Sequence, residues 1–402
     1  SSRAGFFEQD WCATLRDLPG PILILGNPPW VTNAELSTLN GTNLPPKVND
    51  QRFTGIDAVT GKSNFDISEW MLDRLFRALA GTGGWLAMLC KTAVARKVLK
   101  RGWDDGIPIA WAELRTIDAA TWFGASVNAG LLVCEISATA DPTETCAVFD
   151  DLDETHPARS FGVIGGGLVA NVESHRRWAH LSGGSSTRWR SGIKHDASKV
   201  MVLRGEGPAH RNGLDERVEI EVDNIFPMRK GSEIARGWDG PPTRWMLVPQ
   251  RDASRDPRIL ESIAPKTWRY LLDHREHLDR RASAIYRNRP PFSIFGVGSY
   301  TFSPWKVAIC GLYKRLNFVA VGPIDGKPVV FDDTVYFTPC RSEAEARLLA
   351  SLLNSEIARE FFEAFIFWDA KRPITSELLH RLNPRALAEE LGLGREFESV
   401  SG

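Results

Sequence analysis

The segment Asn27-Pro28-Pro29-Trp30 carries the residues of this sequence that are best suited to chemistry. It directly follows the apolar run 22–25 and Gly26. Each proline fixes φ and lacks an N–H donor, so the turn presents carbonyl oxygens and few donors. Asn27 adds a side-chain carbonyl, and Trp30 adds a flat aromatic face. Acceptors beside an aromatic platform suit a planar group that carries an NH2.

The elements around this turn determine where it lies. The run 22–25 predicts a buried parallel strand, with the turn at its C-terminal end, where open α/β sheets bind ligands. The sequence then predicts a loop over 31–64, a helix over 65–79, a strand over 85–90, a helix over 91–101, and strands over 112–118 and 130–136. This alternation indicates an α/β fold with half of a doubly wound sheet.

Length and composition narrow the class of protein. The chain has 402 residues, 43% of them hydrophobic and 25% charged, which is typical of two or more globular domains. It shows no signal peptide and no apolar run long enough to span a bilayer, so we expect a cytoplasmic protein without membrane contact. Six scattered cysteines without a Cys-x-x-Cys pair indicate a reducing compartment and no metal site.

The net charge of −1 conceals a basic block. Residues 181–320 carry 24 basic and 15 acidic side chains, and arginine outnumbers lysine among them. Arginine suits bidentate contacts with phosphate and guanine, so the block favours nucleic acid as a partner. A solvated arginine-rich surface is the alternative.

Asn-Pro-Pro-Trp after an apolar strand resembles the catalytic motif of the amino methyltransferases. With the segments 61–66, 85–91 and 120–127 and several C-terminal blocks, nearly the whole chain resembles gamma-class adenine-N6 DNA methyltransferases of restriction–modification and phage-defence systems. The resemblance implies that S-adenosylmethionine is the methyl donor and that double-stranded DNA is the substrate. It also implies that the target adenine is flipped out and methylated directly at N6.

The resemblance assigns roles to residues around the turn. The Asn27 side chain and the Pro28 carbonyl would accept hydrogen bonds from the target amine, and Pro29 completes the turn. Trp30 and Phe123 would stack on opposite faces of the flipped base, because stacking offsets part of the cost of extrusion. Ordinary core packing is the alternative for Phe123.

The cofactor side of the resemblance is incomplete. Phe6 and Phe7 match an aromatic pair near the cofactor's adenine, but Gly5 stands where the family tends to have an acidic residue. Only 26 residues precede Asn27, too few for the strands that carry the family's glycine-rich cofactor loop. Because the first residue is Ser rather than Met, we expect an N-terminal truncation. The chain alone is then not expected to bind the cofactor tightly or to turn over.

The predicted architecture is therefore a partial Rossmann-like class I methyltransferase sheet followed by a mixed α/β DNA target-recognition domain. Residues 1–140 would be the C-terminal half of the catalytic domain, 141–180 a connecting segment and 181–402 the recognition domain. Within the last range, the sequence predicts a long helix over 343–367. The candidate phosphate contacts are Arg190, Lys194, Lys230 and Lys371.

Three alternatives stay open. A non-catalytic DNA-recognition subunit fits the missing cofactor loop. A protein-glutamine methyltransferase has a similar Asn-Pro-Pro-aromatic motif, although the arginine-rich C-terminal region argues against it. Cytosine-N4 methylation is a third reading, usually with Ser in place of Asn27. A restriction nuclease or another defence subunit is a candidate partner.

Overall fold

The structure is a computed structural model that describes residue 6 and residues 9–30, 66–183, 187–205 and 210–401. The chain divides into two compact units, residues 1–176 and residues 177–402. The loop predicted over 31–64 lies outside the described residues. In the part of the chain that the structure describes, no helix is both long and apolar enough to cross a membrane.

The first unit alternates strands and helices along most of its length. Its elements are α1 Trp11–Arg16, β1 Leu23–Gly26, α2 Ile67–Thr82, β2 Gly84–Lys91, α3 Thr92–Asp104, β3 Ile109–Ile117, α4 Ala119–Phe123, β4 Ala129–Ile136, β5 Thr145–Phe149, β6 Arg159–Ile164 and β7 Gly167–Val169. A further helix, α5 Val172–Trp178, crosses the boundary between the units. The predicted α2, β2, α3, β3 and β4 are confirmed to within a few residues.

The seven strands form one mixed sheet in the order β1-β2-β4-β3-β5-β6-β7. β1 is parallel to β2 and β3 is parallel to β5, whereas the other neighbours are antiparallel. The α/β prediction is thus confirmed as a mixed sheet. The segment 141–180, predicted as a connection, instead contributes β5, β6 and β7 to the sheet.

One face of this sheet is packed by α2 and α3, which both contact β2 and β4. Alternate residues of β2 (Leu86, Met88 and Cys90) are buried there, as the period of two in a strand requires. Charged side chains also tie the two helices together. Glu69 is 3% exposed and accepts from both Lys97, at 3.0 Å, and Arg101, at 2.9 Å.

The first strand is parallel, as predicted, but it is not buried. Leu23 is 63% and Leu25 is 74% exposed. Among the strands that the structure describes, β1 lies at the end of the order and pairs only with β2, from Leu23 opposite Trp85 to Gly26 opposite Met88. The prediction that this strand is buried was therefore wrong. An apolar run of four residues does not reveal whether other elements cover both faces of its strand.

The second unit contains short strands and helices joined by many loops. Its strands are β8 Arg190–Ser191, β9 Val202–Leu203, β10 Ile225–Arg229, β11 Arg244–Leu247, β12 Trp305–Cys310, β13 Val319–Val321, β14 Val330–Phe331 and β15 Val335–Cys340. Its helices are α6 Ser198–Met201, α7 Gly231–Arg236, α8 Leu260–Ile263, α9 Pro265–Asp273, α10 Arg275–Asp279, α11 Glu343–Leu353, α12 Glu356–Glu363, α13 Ser376–Leu379, α14 Pro384–Glu390 and α15 Gly394–Ser401.

These strands form two four-stranded sheets. One has the order β14-β10-β11-β9 and the other the order β13-β12-β15-β8. The first packs with α9 and α10 around a core that includes Met246 and Leu271. The second packs with the C-terminal helices around Phe361 and Phe362. The unit is mixed α/β, as predicted.

The helix predicted over 343–367 is two helices, α11 and α12. The break lies at Asn354, whose side-chain amide donates to Phe318 O at 2.7 Å and accepts from Phe318 N at 3.0 Å. Ser355 then caps α12 by accepting from Ala358 N at 3.2 Å. Apolar periodicity continues across the break because both helices pack on the same core, so periodicity alone predicted one helix.

Candidate active site

The Asn-Pro-Pro-Trp turn begins where β1 ends. Asn27 is exposed, Pro28 is buried, and Trp30 is half-buried. The end of β1 lies close to β2. A Cβ added at Gly26 would be only 3.1 Å from Met88 Sδ. The turn thus leaves the Asn27 amide accessible at the C-terminal edge of two parallel strands, the edge that the sequence predicted.

Trp30 is attached to the neighbouring strand rather than free in the loop. Its Nε1–H donates to Leu89 O of β2 at 3.3 Å, a contact between residues 59 positions apart. A single hydrogen bond of this kind contributes about 1 kcal/mol, and it restrains the direction of the indole N–H. The aromatic platform is therefore held in place by the sheet.

Phe123 lies at the end of the short helix α4, which follows β3. Asp118 caps this helix, and its Oδ1 accepts from Ala120 N and Thr121 N at 3.1 Å each. The hydrogen bond from the Thr121 hydroxyl, with those from the backbone, lowers the pKa of Asp118. Gly124, at φ +63°, ends the helix in the left-handed region. Phe123 is 50% exposed, so core packing does not explain it.

The structure brings Trp30 and Phe123 together. Their ring centroids are 5.5 Å apart, and the rings are inclined at 76° in an edge-to-face contact. Such a pair leaves no parallel gap for a third ring, so stacking a base between them requires one ring to turn. The two rings are thus in contact with each other, whereas their role on opposite faces of a base stays a prediction.

A partly buried ion pair at the same edge was missed by the sequence reasoning. Lys91 ends β2, and its Nζ donates to Asp66 Oδ2 at 2.8 Å. Asp66 is 8% exposed and also caps α2, with Oδ1 accepting from Ser68 N at 3.0 Å. Asp66 thus caps the helix that the sequence predicted over 65–79. The sequence did offer a signal for this pair: Lys91 directly follows the apolar strand predicted over 85–90, and a charge at that place needs a partner such as Asp66.

The predicted cofactor residues give only part of a binding site. Phe7 lies outside the described residues. Phe6 is half-buried, with its ring 4.6 Å from Trp11 and 6.2 Å from Trp70. An aromatic surface suits an adenine ring but provides no partner for ribose hydroxyls or an amino-acid group. Within the described ranges, these residues do not amount to a complete S-adenosylmethionine site.

The predicted phosphate contacts of the second unit have different surroundings. Arg190 is exposed, with its guanidinium 5.0 Å from the centre of the Tyr300 ring, and Lys371 is also exposed. Lys194 is instead paired with Asp196 Oδ1 at 3.0 Å and lies 3.9 Å from Asp333 Oδ2. Arg190 and Lys371 are accessible to a phosphate, whereas the Lys194 charge is already compensated.

Lys230 lines a polar cavity of about 380 Å³ in the second unit, which we call the Lys230 cavity. Its lining residues are Ile193, His195, Asp196, Ser198, Val202, Met228, Lys230, Asp332 and Asp333. The sequence reasoning selected Lys194 and Lys230 but missed His195 and the aspartates. Asp332 and Asp333 directly follow the apolar run 328–331, and this pattern could have indicated a polar site at the end of a strand. Across the described ranges, no group of three or more histidine, cysteine or acidic side chains is arranged to hold a metal ion.

Comparison with known proteins gives a relative and a fold neighbour. The Type II methyltransferase M.NspV of Nostoc sp. (strain ATCC 29411 / PCC 7524) is 44% identical over 385 residues, which cover 96% of this chain and 80% of the relative. The Type IIL restriction-modification enzyme MmeI, solved in complex with DNA, has a similar fold with a TM-score of 0.53 and 12% identity. That similarity covers 98% of this chain and about half, 51%, of the MmeI chain.

No family model matches the sequence. The identity to M.NspV nevertheless extends over nearly the whole chain, through both structural units. The resemblance drawn from the sequence is confirmed at the level of the Type II methyltransferases. The chain belongs to the family of Type II methyltransferases.

Proposed function

We propose that this chain methylates adenine at N6 in double-stranded DNA, as the methyltransferase of a restriction–modification system. The observation that carries the proposal is the Asn27–Trp30 turn, which lies at the C-terminal edge of β1 with Asn27 exposed and Trp30 beside Phe123. Membership of the Type II methyltransferase family supports the reaction class.

The chain's own contribution is to bind and orient the target amine. The Asn27 side-chain oxygen and the Pro28 carbonyl are the acceptors that would receive the two amine hydrogens. The amine lone pair is delocalised into the adenine ring, and acceptors on both hydrogens favour the geometry in which it is localised on nitrogen. The acceptors act most strongly as positive charge develops on that nitrogen, so they stabilise the transition state more than the ground state.

S-adenosylmethionine supplies the methyl group when it is bound. Phe6 is the residue of the described part that suits its adenine, through an aromatic contact. The described residues do not complete that site, so the proposal rests on how the chain holds the base.

The flipped base needs a surface that replaces its lost stacking. Base–aromatic stacking contributes about 1–3 kcal/mol per base, which is comparable to the cost of extruding one base. The Trp30 indole is already fixed by its hydrogen bond to Leu89 O. Phe123, exposed on a five-residue helix, is the ring that we expect to move to the other face.

The second unit would hold the duplex. Its segment 181–320 carries the excess of basic residues, and Arg190 and Lys371 are exposed. Contacts of this type neutralise phosphates and release counterions, so duplex affinity should fall steeply as salt concentration rises.

Methyl transfer by the native gene product tests the proposal. The product is incubated with unmethylated duplex DNA and S-adenosylmethionine, and the modified nucleoside is identified by mass spectrometry. We expect N6-methyladenine. N4-methylcytosine would overturn the choice of base, and methyl transfer only to protein would overturn DNA as the substrate.

The variant Asn27→Ala tests the role of the turn. We expect kcat/KM to fall by about 100-fold or more, as when a preorganised transition-state hydrogen bond is removed, with duplex affinity within a few-fold of wild type. Asn171→Ala is the matched control, because Asn171 caps a helix beyond β7, at the opposite end of the strand order from β1. Full activity of Asn27→Ala would contradict the assignment.

A DNA-recognition subunit without catalysis is the second candidate, favoured by the incomplete set of cofactor residues. Calorimetric titration of the native gene product with S-adenosylmethionine distinguishes the two. Saturable binding supports the enzyme, and duplex binding without cofactor binding supports the recognition subunit.

A further inference from the structure

Glycines allow chain segments beside the Lys230 cavity to approach one another closely. A Cβ at Gly192 would lie 2.1 Å from Asp332 O, and one at Gly296 would lie 2.4 Å from Gly192 O. Backbone hydrogen bonds join the same segments, from Ile193 N to Phe331 O at 2.7 Å and from Lys194 N to Phe295 O at 2.9 Å. This packing places the side chains of residues 194–196 beside Asp332 and Asp333.

The charges around this cavity do not favour a phosphate. Three carboxylates, those of Asp196, Asp332 and Asp333, line it. The Lys194 ammonium is engaged by two of them, at 3.0 and 3.9 Å. The Lys230 ammonium has no side-chain partner among the described residues. A phosphate group in this cavity would meet more negative than positive charge, whereas an uncharged group with donors and acceptors would find partners for both.

His195 adds a donor of fixed orientation. The side chain is 8% exposed, and its Nδ1 accepts from Ala197 N at 3.1 Å. Burial lowers the pKa of His195 to about 4, so the ring is neutral at pH 7 and carries its proton on Nε2. Across the described ranges this N–H has no protein partner, and the residue lines the cavity. A ligand in the cavity that accepts a hydrogen bond would be a partner for this N–H.

We infer that the Lys230 cavity reads the major-groove edge of a G·C base pair, with Lys230 and His195 donating to guanine and the aspartates accepting from cytosine. Guanine presents two adjacent acceptors, O6 and N7, and cytosine presents its N4 amine beside them. The donors Lys230 and His195 and the aspartate carboxylates line the same cavity and supply partners for both bases. The inference rests on the proposed function, since it names bases within the duplex to be methylated.

Selection of bound duplexes from a randomised pool tests this inference without requiring methyl transfer. Wild-type protein should enrich a sequence with at least one fixed G·C pair. Lys230→Met keeps a side chain of similar length and removes the donor, so preference at that pair should fall by about tenfold or more. Asp333→Asn replaces the cytosine acceptor by an amide and should alter the same position. Thermal melting establishes that each variant folds.

Lys266→Met is the matched control, because Lys266 is an exposed lysine outside the cavity. It removes the same charge and should leave the selected sequence unchanged. If Lys230→Met selects the wild-type sequence with only a lower salt dependence, Lys230 is a phosphate contact and the inference is wrong. If wild-type protein binds no duplex at all, the proposed function itself fails.

Discussion

Lys306 provides a sharp quantitative test of the second unit. It lies on β12 and is 1% exposed. Its Nζ donates to the carbonyls of Ser303 and Val329, the latter at 2.9 Å, and no carboxylate in the described part of the chain pairs with it. Burial lowers the pKa of Lys306 from 10.5 to about 7. The folded protein therefore loses this proton about three and a half pH units before the unfolded chain does.

The sign of the pH dependence follows from proton binding. Between pH 7 and pH 10.5 the unfolded chain keeps a proton that the folded protein has lost. The free energy of unfolding therefore rises with pH, by up to about 1.4 kcal/mol per pH unit from this group. The total is on the order of 5 kcal/mol across the window. Below pH 7 both states are protonated and the burial penalty is complete, whereas above pH 10.5 it is absent.

Lys306→Met isolates this effect. The substitution leaves two carbonyls without their donor, at a cost of about 1–3 kcal/mol each that does not change with pH. The informative quantity is then the slope of the free energy of unfolding against pH. Denaturant unfolding of wild type and variant is measured from pH 7.5 to pH 10, and pulse-labelled hydrogen exchange of β12 and β15 reports the transition of the second unit.

We expect wild type to gain stability relative to Lys306→Met as the pH rises. The exposed Lys266→Met should follow wild type throughout. Parallel pH profiles for wild type and Lys306→Met would refute the reasoning, because they would mean that Lys306 holds its proton in the core.

Two further predictions concern the first unit and the cysteines. Lys91→Met should lower the free energy of unfolding by about 3 kcal/mol, because it leaves the buried Asp66 carboxylate without its cation. The control Lys97→Met should lower it by less than about 1 kcal/mol, because that lysine side chain is 60% exposed. Equal losses in urea denaturation would contradict this. Native protein should show one thiol that reacts rapidly with Ellman's reagent, Cys12, because the other five cysteines are buried and burial raises the pKa of Cys90 and of Cys340 to about 12. More than one fast thiol would contradict the buried positions.

The sequence predicted elements well where one periodicity extends over several turns. The helix α2 keeps Leu72, Leu75 and Leu79 on one buried face, and its cap at Asp66 lies within one residue of the start predicted at 65. It predicted less well where tertiary contacts decide. Asn354 breaks a continuous apolar pattern because its side chain bonds to Phe318, a residue 36 positions away.

For the candidate site, sequence reasoning found the residues but not their arrangement. The types and order of Asn27 to Trp30 suffice to predict a turn rich in acceptors beside an aromatic ring. That Trp30 donates to Leu89 O and meets Phe123 edge-to-face depends on how β1, β2 and β3 are placed in the sheet. The roles of these residues in methyl transfer stay predictions.

The sequence alone thus determined the features that depend on neighbours along the chain: the turn, the alternation of strands and helices, and the basic composition of the C-terminal region. The tertiary structure decided the features that depend on distant residues. Lys194 and Lys230 have the same chemistry in the sequence, yet folding brings Asp333 to within 3.9 Å of Lys194, which Asp196 also pairs, whereas Lys230 lines a cavity and has no side-chain partner among the described residues. The reason is physical, since the energy of a charge depends on burial and on the groups within a few ångströms, and in the second unit folding brings most of those groups from elsewhere in the chain.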